Sequence, residues 1–367
     1  MSKALSGLSV MVGLSGGVDS AVSAALLKRA GANVVGAFIK TWSPEWLACT
    51  WKDERRDAMR VAAHLDIPFV TIDLEKEYKK GVADYMIAEY RLGRTPNPDV
   101  MCNKEIKFGA FLRAALSMGA DAIATGHYAQ IGQKLKVESK KWELKRGKDM
   151  SKDQSYFLWT LSQEQLSKTI FPVGHLDKSE VRELAKEFKL PVAEKKDSQG
   201  ICFLGHIDMR EFLSHYIKTK IGAVLDQEGN KLGEHDGSIF YTIGQAWQRP
   251  YYVIAKNLKK NTITVSALGS DPSVKSERIM LKDVNWISGG INLNELNSKK
   301  FELTAEVRYH GEQLACRLIK HEYSSGGRAS LMSDQLEVGF EKPVLVAPGQ
   351  SVVIYKGMVC LGGGIVA

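Results

Sequence analysis

Residues 8–14, LSVMVGL, form a short apolar run, and SGGVDS follows with no spacer before the small-residue stretch SAVSAALLKRAGA. A buried strand that passes through two glycines into a helix forces the helix to pack back on its own sheet. The same alternation then repeats. NVVGAFIK at 33–40 reads as a second strand, residues 51–65 as a helix, and PFVTIDL as a third strand. Helical patterns follow at 76–92 and 104–118, and then DAIATG as a fourth strand. Strands alternating with helices over some 130 residues predict a parallel sheet covered on both faces. Such sheets bind ligands at the carboxyl ends of their strands. SGGVDS, the turn after residues 39–40, and TGHY all sit at such ends.

GLSGGVDS, residues 13–20, has the chemistry of an anion cradle. Gly16 and Gly17 carry no side chains, so backbone N–H groups can close on a phosphate at a helix N-terminus. Ser15 and Ser20 can donate to phosphate oxygens. Asp19 repels bare phosphate, so its sensible partner is Mg²⁺ carried by a nucleotide, and the sequence suggests no other carboxylate for that task. The lysine of a Walker loop is missing, and the pattern is not GxGxxG.

A second feature is TPNPDVMCNKEIKF, residues 95–108. Two prolines stiffen the approach to Asp99 and Cys102. With a helix starting at 104, Cys102 would lie at its N-terminus near Lys104 and Lys107, which favours a thiolate. Asp99 can serve as a general acid or base or merely cap the helix. Cys202 sits in KKDSQGICF, after Lys195, Lys196 and the turn-permitting Gly200. Asp99, Cys102 and Cys202 would also suit a three-ligand metal or iron–sulfur site, but no fourth ligand is near in sequence.

The five cysteines are widely spaced with no CxxC pair, which argues against a disulfide scaffold or zinc finger. Cys49, Cys316 and Cys360 read as small buried hydrophobes. No run approaches the ~18 apolar residues of a membrane helix, and MSKALSGLSVMVGL is not a signal peptide pattern. A cytoplasmic location is expected. From about residue 210 the pattern shifts to short alternating stretches. FELTAEVRYH, LACRLIKH, LEVGFEKPVLV, QSVVIYKG and MVCLGGGIVA then predict a β-barrel or sandwich. The net charge of +8 suggests an anionic partner. Eight basic and three acidic residues fall within 134–152, either a solvated hairpin face or a phosphate contact.

SGGxDS resembles the loop of enzymes that cleave ATP to AMP and pyrophosphate. Together with GRTPNPDVMCNKEIKF, ATGHY, KDQSYFL, DSQGICF and CLGGGI, it makes the chain similar to the bacterial tRNA 2-thiouridine synthases, the MnmA/TrmU family. That resemblance implies an α/β fold: a Rossmann-like parallel-sheet domain of the adenine-nucleotide alpha-hydrolase type at 1–208, a small central domain at 209–275, and a tRNA-contacting C-terminal β-barrel at 276–367. It implies a tRNA-uridine 2-sulfurtransferase that adenylates the 2-oxo group of the wobble uridine and then transfers sulfur from a cysteine persulfide. ATP and Mg²⁺ would be required. tRNA would be the partner, with a sulfur-relay protein or cysteine desulfurase as donor.

By the same resemblance Cys202 carries the persulfide and Cys102 resolves it, leaving a Cys102–Cys202 disulfide, with Asp99 assisting. Gly13, Leu14, Ser15, Gly16, Gly17, Val18, Asp19, Ser20, Ile39 and Gly126 would bind ATP. Asn97, Pro98, Asp99 and His127 would meet the target nucleotide. Lys152, Asp153, Gln154, Arg308, Tyr309 and Gln350 would contact tRNA. Tyr128 and Tyr156 are candidates to stack an extruded base. AWQRPYYV after FYTIGQ is shorter and SPEWLACTW after FIKTW is less acidic than the family pattern. The alternatives are a 4-thiouridine synthase, an adenylating amidotransferase, or an RNA-binding protein with a vestigial loop.

Overall fold

The computed structural model of the chain describes residues 5–47, 51–134, 141–196, 208–267, 271–288, 303–319 and 335–367. The first third runs β1 (Ser9–Gly13), α1 (Val18–Arg29), β2 (Asn33–Lys40), α2 (Trp51–His64), β3 (Phe69–Asp73) and β4 (Ala122–Ala124). The hairpin β5 (Ala129–Lys134) and β6 (Lys141–Arg146) follows, and then β7 (Thr169–Ile170). Strands β3-β2-β1-β4-β7 form one sheet in that order, every pair parallel. The connection direction reverses between β1 and β4, so a ligand crevice opens there, outside their carboxyl ends.

Strand alternation divides the core. Val10 and Val12 of β1 pack with α1, α2 and the Lys178–Glu187 helix, while Met11 faces a second cluster with Phe111, Met86 and Ile123. Ala21, Ser23, Ala24 and Ala25 are buried on α1; their small side chains let the helix sit close to the sheet.

The helix expected at 104–118 starts earlier. It runs through Pro98–Met101, Cys102–Ala110 and Phe111–Ser117. Asn97 caps it by accepting from the Val100 N–H at 3.4 Å, and Pro98 fills the first helical position. Asp99 is therefore not the cap, and Cys102 lies one turn inside the helix. From Cys102 to Ala110 the turns widen to i→i+5 bonding, a distortion frequent at functional sites.

A second five-stranded sheet, β10-β11-β12-β8-β9, contains β8 (Gly222–Leu225), β9 (Lys231–His235), β10 (Ala246–Gln248), β11 (Tyr251–Asn257) and β12 (Thr262–Ser266). The last strands are β13 (Ser276–Trp286), β14 (Leu303–Glu306), β15 (Leu314–Ile319), β16 (Gln335–Val344), β17 (Ser351–Lys356) and β18 (Val359–Val366). They close into a barrel through pairing of β13 with β18. The first residues of β18 pair instead with β6, Cys360 opposite Leu144. The basic hairpin is thus an extension of the barrel sheet, although it lies in the N-terminal half of the sequence. Among the described residues, no helix is long and apolar enough to cross a membrane.

Candidate active site

The loop after β1 is built as a cradle. Gly16 has φ +74, and a Cβ there would come within 2.5 Å of the Glu54 carbonyl oxygen, so only glycine fits. Gly17 caps α1 in extended conformation. Ser20 Oγ donates to the Gly17 carbonyl at 3.1 Å, and the Ser15 N–H donates to Ser20 Oγ at 3.3 Å. Gly126, at the end of β4, would place a Cβ 2.7 Å from the Ser20 nitrogen. The missing side chain lets the end of β4 approach the first turn of α1. Ile39 lies half-buried near the carboxyl end of β2.

Asp19 is held by two groups: Tyr128, a base-stacking candidate in the sequence, and Lys178, which no motif marked. The Tyr128 hydroxyl and the Lys178 ammonium both donate to its Oδ1, at 2.8 and 2.7 Å. On the other side of the loop, Lys195 donates to the Gly16 carbonyl at 3.0 Å and pairs with Asp57 at 2.7 Å. Asp19 is thus not the only carboxylate beside the cradle. The loop lacks a lysine of its own, but two lysines from distant segments reach it. Burial pushes the nearby Glu54 carboxyl up, against the opposing pull of Lys195.

Helices that alternate with parallel strands run antiparallel to them. The N-terminal turns of the Pro98 helix therefore face the same sheet end as the phosphate loop. Cys102 there is 2% exposed and packs with Val100, Ile106 and Phe108. Asp99, one turn before it, has its carboxyl pushed up by burial, with Lys107 pulling the other way. A carboxyl raised in this way can hold and return a proton. Cys202, Gly200 and Cys49 lie outside the described residues. The candidate cluster of Asp99, Cys102 and Cys202 therefore reaches beyond them, and the described residues contain no other metal-ligating group of three.

His127 is 8% exposed, between Phe108 and Phe171. Its Nδ1 lies 2.7 Å from Thr125 Oγ1, and its Nε2 lies 3.4 Å from Lys107 Nζ. Burial, reinforced by Lys107, holds its pKa well below the ordinary value. It sits in the interior, where burial favours its neutral form. Tyr128 and Tyr156 are 2% and 1% exposed, so neither offers a ring to an extruded base. The Tyr156 hydroxyl donates to the Ser351 carbonyl at 2.9 Å.

The KDQ segment also turns inward. Asp153, 3% exposed, pairs with Arg146 at 2.9 Å and accepts from the Gly147 N–H and from Ser155. Arg146 continues to Glu306 of β14 at 3.1 Å and lies 3.6 Å above the Tyr355 ring. Gln154 accepts from the Tyr128 N–H at 3.0 Å. Asp153 and Gln154 therefore fasten the hairpin to the barrel and to the loop that aims Tyr128 at Asp19. Gln350 donates to the Thr95 carbonyl at 2.7 Å and so positions the chain ahead of Asn97. Of the residues expected on tRNA, Arg308 and Tyr309 are exposed and Lys152 is half-buried. Cys316 and Cys360 are buried, each with its thiol pushed up to about 12 by burial.

Residues 8–206, 210–267 and 276–366 match the families described as tRNA methyl transferase HUP domain, tRNA methyl transferase PRC-barrel domain and aminomethyltransferase beta-barrel domain. The tRNA-specific 2-thiouridylase MnmA of Halalkalibacterium halodurans is 45% identical over 365 residues, covering 97% of this chain and 93% of that protein. The chain belongs to the MnmA family. Its MnmA relative from Listeria monocytogenes is 44% identical over 374 residues, covering 99% and 96%. The solved U34-tRNA thiolase NcsA of Methanococcus maripaludis aligns with 57% of this chain and 65% of its own, at 18% identity and a TM-score of 0.36. That likeness is too slight to bear on the site. Within this chain, Lys178 and Asp57 are the site groups that sequence motifs did not reveal, and Lys195, noted only ahead of Cys202, turns out to reach the cradle. The missing lysine of the SGGVDS loop was the one available signal for them.

Proposed function

We propose that this protein is a tRNA 2-thiouridine synthase. One observation carries the reading: Lys107, which pulls on the Asp99 carboxyl, lies 3.4 Å from His127, and the adjoining Gly126 packs against Asp19 and Ser20, so the start of the Pro98 helix adjoins the phosphate cradle. The relatives named as tRNA-specific 2-thiouridylases support it.

The cradle of residues 14–17 and the α1 N-terminus would hold the phosphates of ATP. Mg²⁺ carried by the nucleotide would neutralise phosphate charge, and the partly exposed Asp19 carboxylate would hold it. The uridine 2-oxo oxygen attacks the α-phosphorus, pyrophosphate leaves, and the oxygen becomes part of an AMP leaving group. The outer sulfur of a Cys202 persulfide then attacks C2 and AMP departs. The Cys102 thiolate attacks the inner sulfur, which frees 2-thiouridine and leaves a Cys102–Cys202 disulfide for an external thiol to reduce. Asp99 would move the proton at the thiol or the uracil ring. A cysteine desulfurase or a sulfur-relay protein would supply the persulfide sulfur, in the cytoplasm.

The test is nucleoside mass spectrometry of tRNA incubated with the protein, ATP, cysteine and a cysteine desulfurase. The reading expects 2-thiouridine, dependent on ATP. Thiolation at another uracil position, or none, would contradict it.

A further inference from the structure

Burial removes Tyr128 and Tyr156 as base-stacking groups, but rings beside Asp99 do reach the surface. Tyr309 is 36% exposed. Its ring centroid lies 3.9 Å from that of His310, nearly parallel at 24°, and 4.3 Å from that of Phe157, which backs it at a tilt of 44°. His310 is exposed and takes φ +56, a conformation uncommon outside glycine that turns the chain so that consecutive rings overlap. Phe157 is fixed from the other side, because Asn103, next to Cys102, donates to its carbonyl at 3.3 Å. The ladder is thus tied to the helix that carries the candidate nucleophile.

The surrounding charge narrows the ligand. The Tyr309 hydroxyl feels the carboxylates of Asp153, Glu306 and Asp99. Asp153 and Glu306 are already paired with Arg146, so what the surface at Tyr309 offers is aromatic, and any aromatic ring can stack the face of an uncharged base. Arg308, one residue earlier, is exposed, and its cationic side chain suits a phosphate.

We propose that Phe157, Tyr309 and His310 form a stacking ladder for an unpaired tRNA base flanking the target uridine, with Arg308 on the adjoining phosphate. This rests on the tRNA reading above.

The experiment measures tRNA affinity over a range of salt for wild type, Tyr309→Leu, Tyr309→Phe, His310→Ala and Arg308→Ala. A parallel titration uses tRNA with 2-aminopurine next to the target uridine. Each lost stacking partner should weaken binding roughly 5- to 150-fold, from ~1–3 kcal/mol per stacked base, with the salt slope unchanged. Tyr309→Phe should bind like wild type, and Arg308→Ala should flatten the slope by about one contact. Wild type should quench the 2-aminopurine fluorescence and Tyr309→Leu should not. Wild-type affinity in both Tyr309→Leu and His310→Ala, or a loss that flattens the salt slope as Arg308→Ala does, overturns the ladder. Failure of the wild-type protein to bind any tRNA would instead overturn the function reading.

Discussion

Lys178 Nζ lies 2.7 Å from Asp19 Oδ1 across 159 residues of chain. The lysine opens the helix at Lys178–Glu187, and the aspartate sits in the first turn of α1. A cation is thus stored at the mouth of the phosphate cradle, neutralised by the carboxylate proposed for Mg²⁺. Arrival of a magnesium-bound triphosphate would release Lys178 to the phosphate oxygens.

Lys178→Met should therefore weaken ATP binding about 10-fold or more, the scale of one charged hydrogen bond, and leave AMP binding unchanged. Calorimetric titration with both nucleotides checks this. Equal losses for ATP and AMP would place Lys178 away from the outer phosphates. Asp19→Ala should abolish pyrophosphate release while tRNA affinity is retained.

Neighbouring residues of the KDQ segment should behave in opposite ways. Asp153→Ala removes one of the two carboxylates paired with the buried Arg146, leaving Glu306 alone, and should cost about 1.5–3 kcal/mol in chemical denaturation, with the salt slope of tRNA binding intact. Lys152→Ala should leave stability near wild type and flatten that slope by about one. A stable Asp153→Ala protein with weakened tRNA binding would restore Asp153 to the RNA surface.

Those contrasts mark where sequence reasoning reaches its limit. The strand–SGGVDS–helix unit was legible because its constraints are local: apolar run, glycines, serines and helix start are contiguous. The strands from β1 to β4 followed from the same short-range grammar. The start of the Pro98 helix was misplaced although Asn97-Pro98 is itself a capping signal, because the prolines and Cys102 read as a turn. Asp153 could not be assigned, since its partner Arg146 is fixed in turn by Glu306, 160 residues later. Nor could Tyr128, whose hydroxyl bond spans 109 residues. The union of β6 with β18 depends on the closed barrel, which no local pattern encodes.

His127 should impose a pH dependence on stability. Its folded pKa lies below the unfolded value of about 6.5, so below that pH the unfolded chain binds more protons. Its contribution is present above pH ~6.5 and is lost as pH falls from there toward the folded pKa. Denaturant midpoints from pH 7.5 to 5 should decline, and His127→Phe should remove part of that decline. An identical pH profile in the variant would show that His127 is not buried neutral.

Cys102→Ser should still take up sulfur from a cysteine desulfurase with cysteine, visible as a mass increase on the peptide containing Cys202. It should form no thiolated tRNA. Sulfur found on Cys102 in Cys202→Ser, with thiolation retained, would exchange the two roles.

The central claim is that the cradle activates a tRNA oxygen. Pyrophosphate release from ATP, measured with and without tRNA and with no sulfur donor present, tests it most directly. The account predicts release only when tRNA is added, and no release from a tRNA whose target uridine is replaced by cytidine. Equal release without tRNA, or none under either condition, would contradict it.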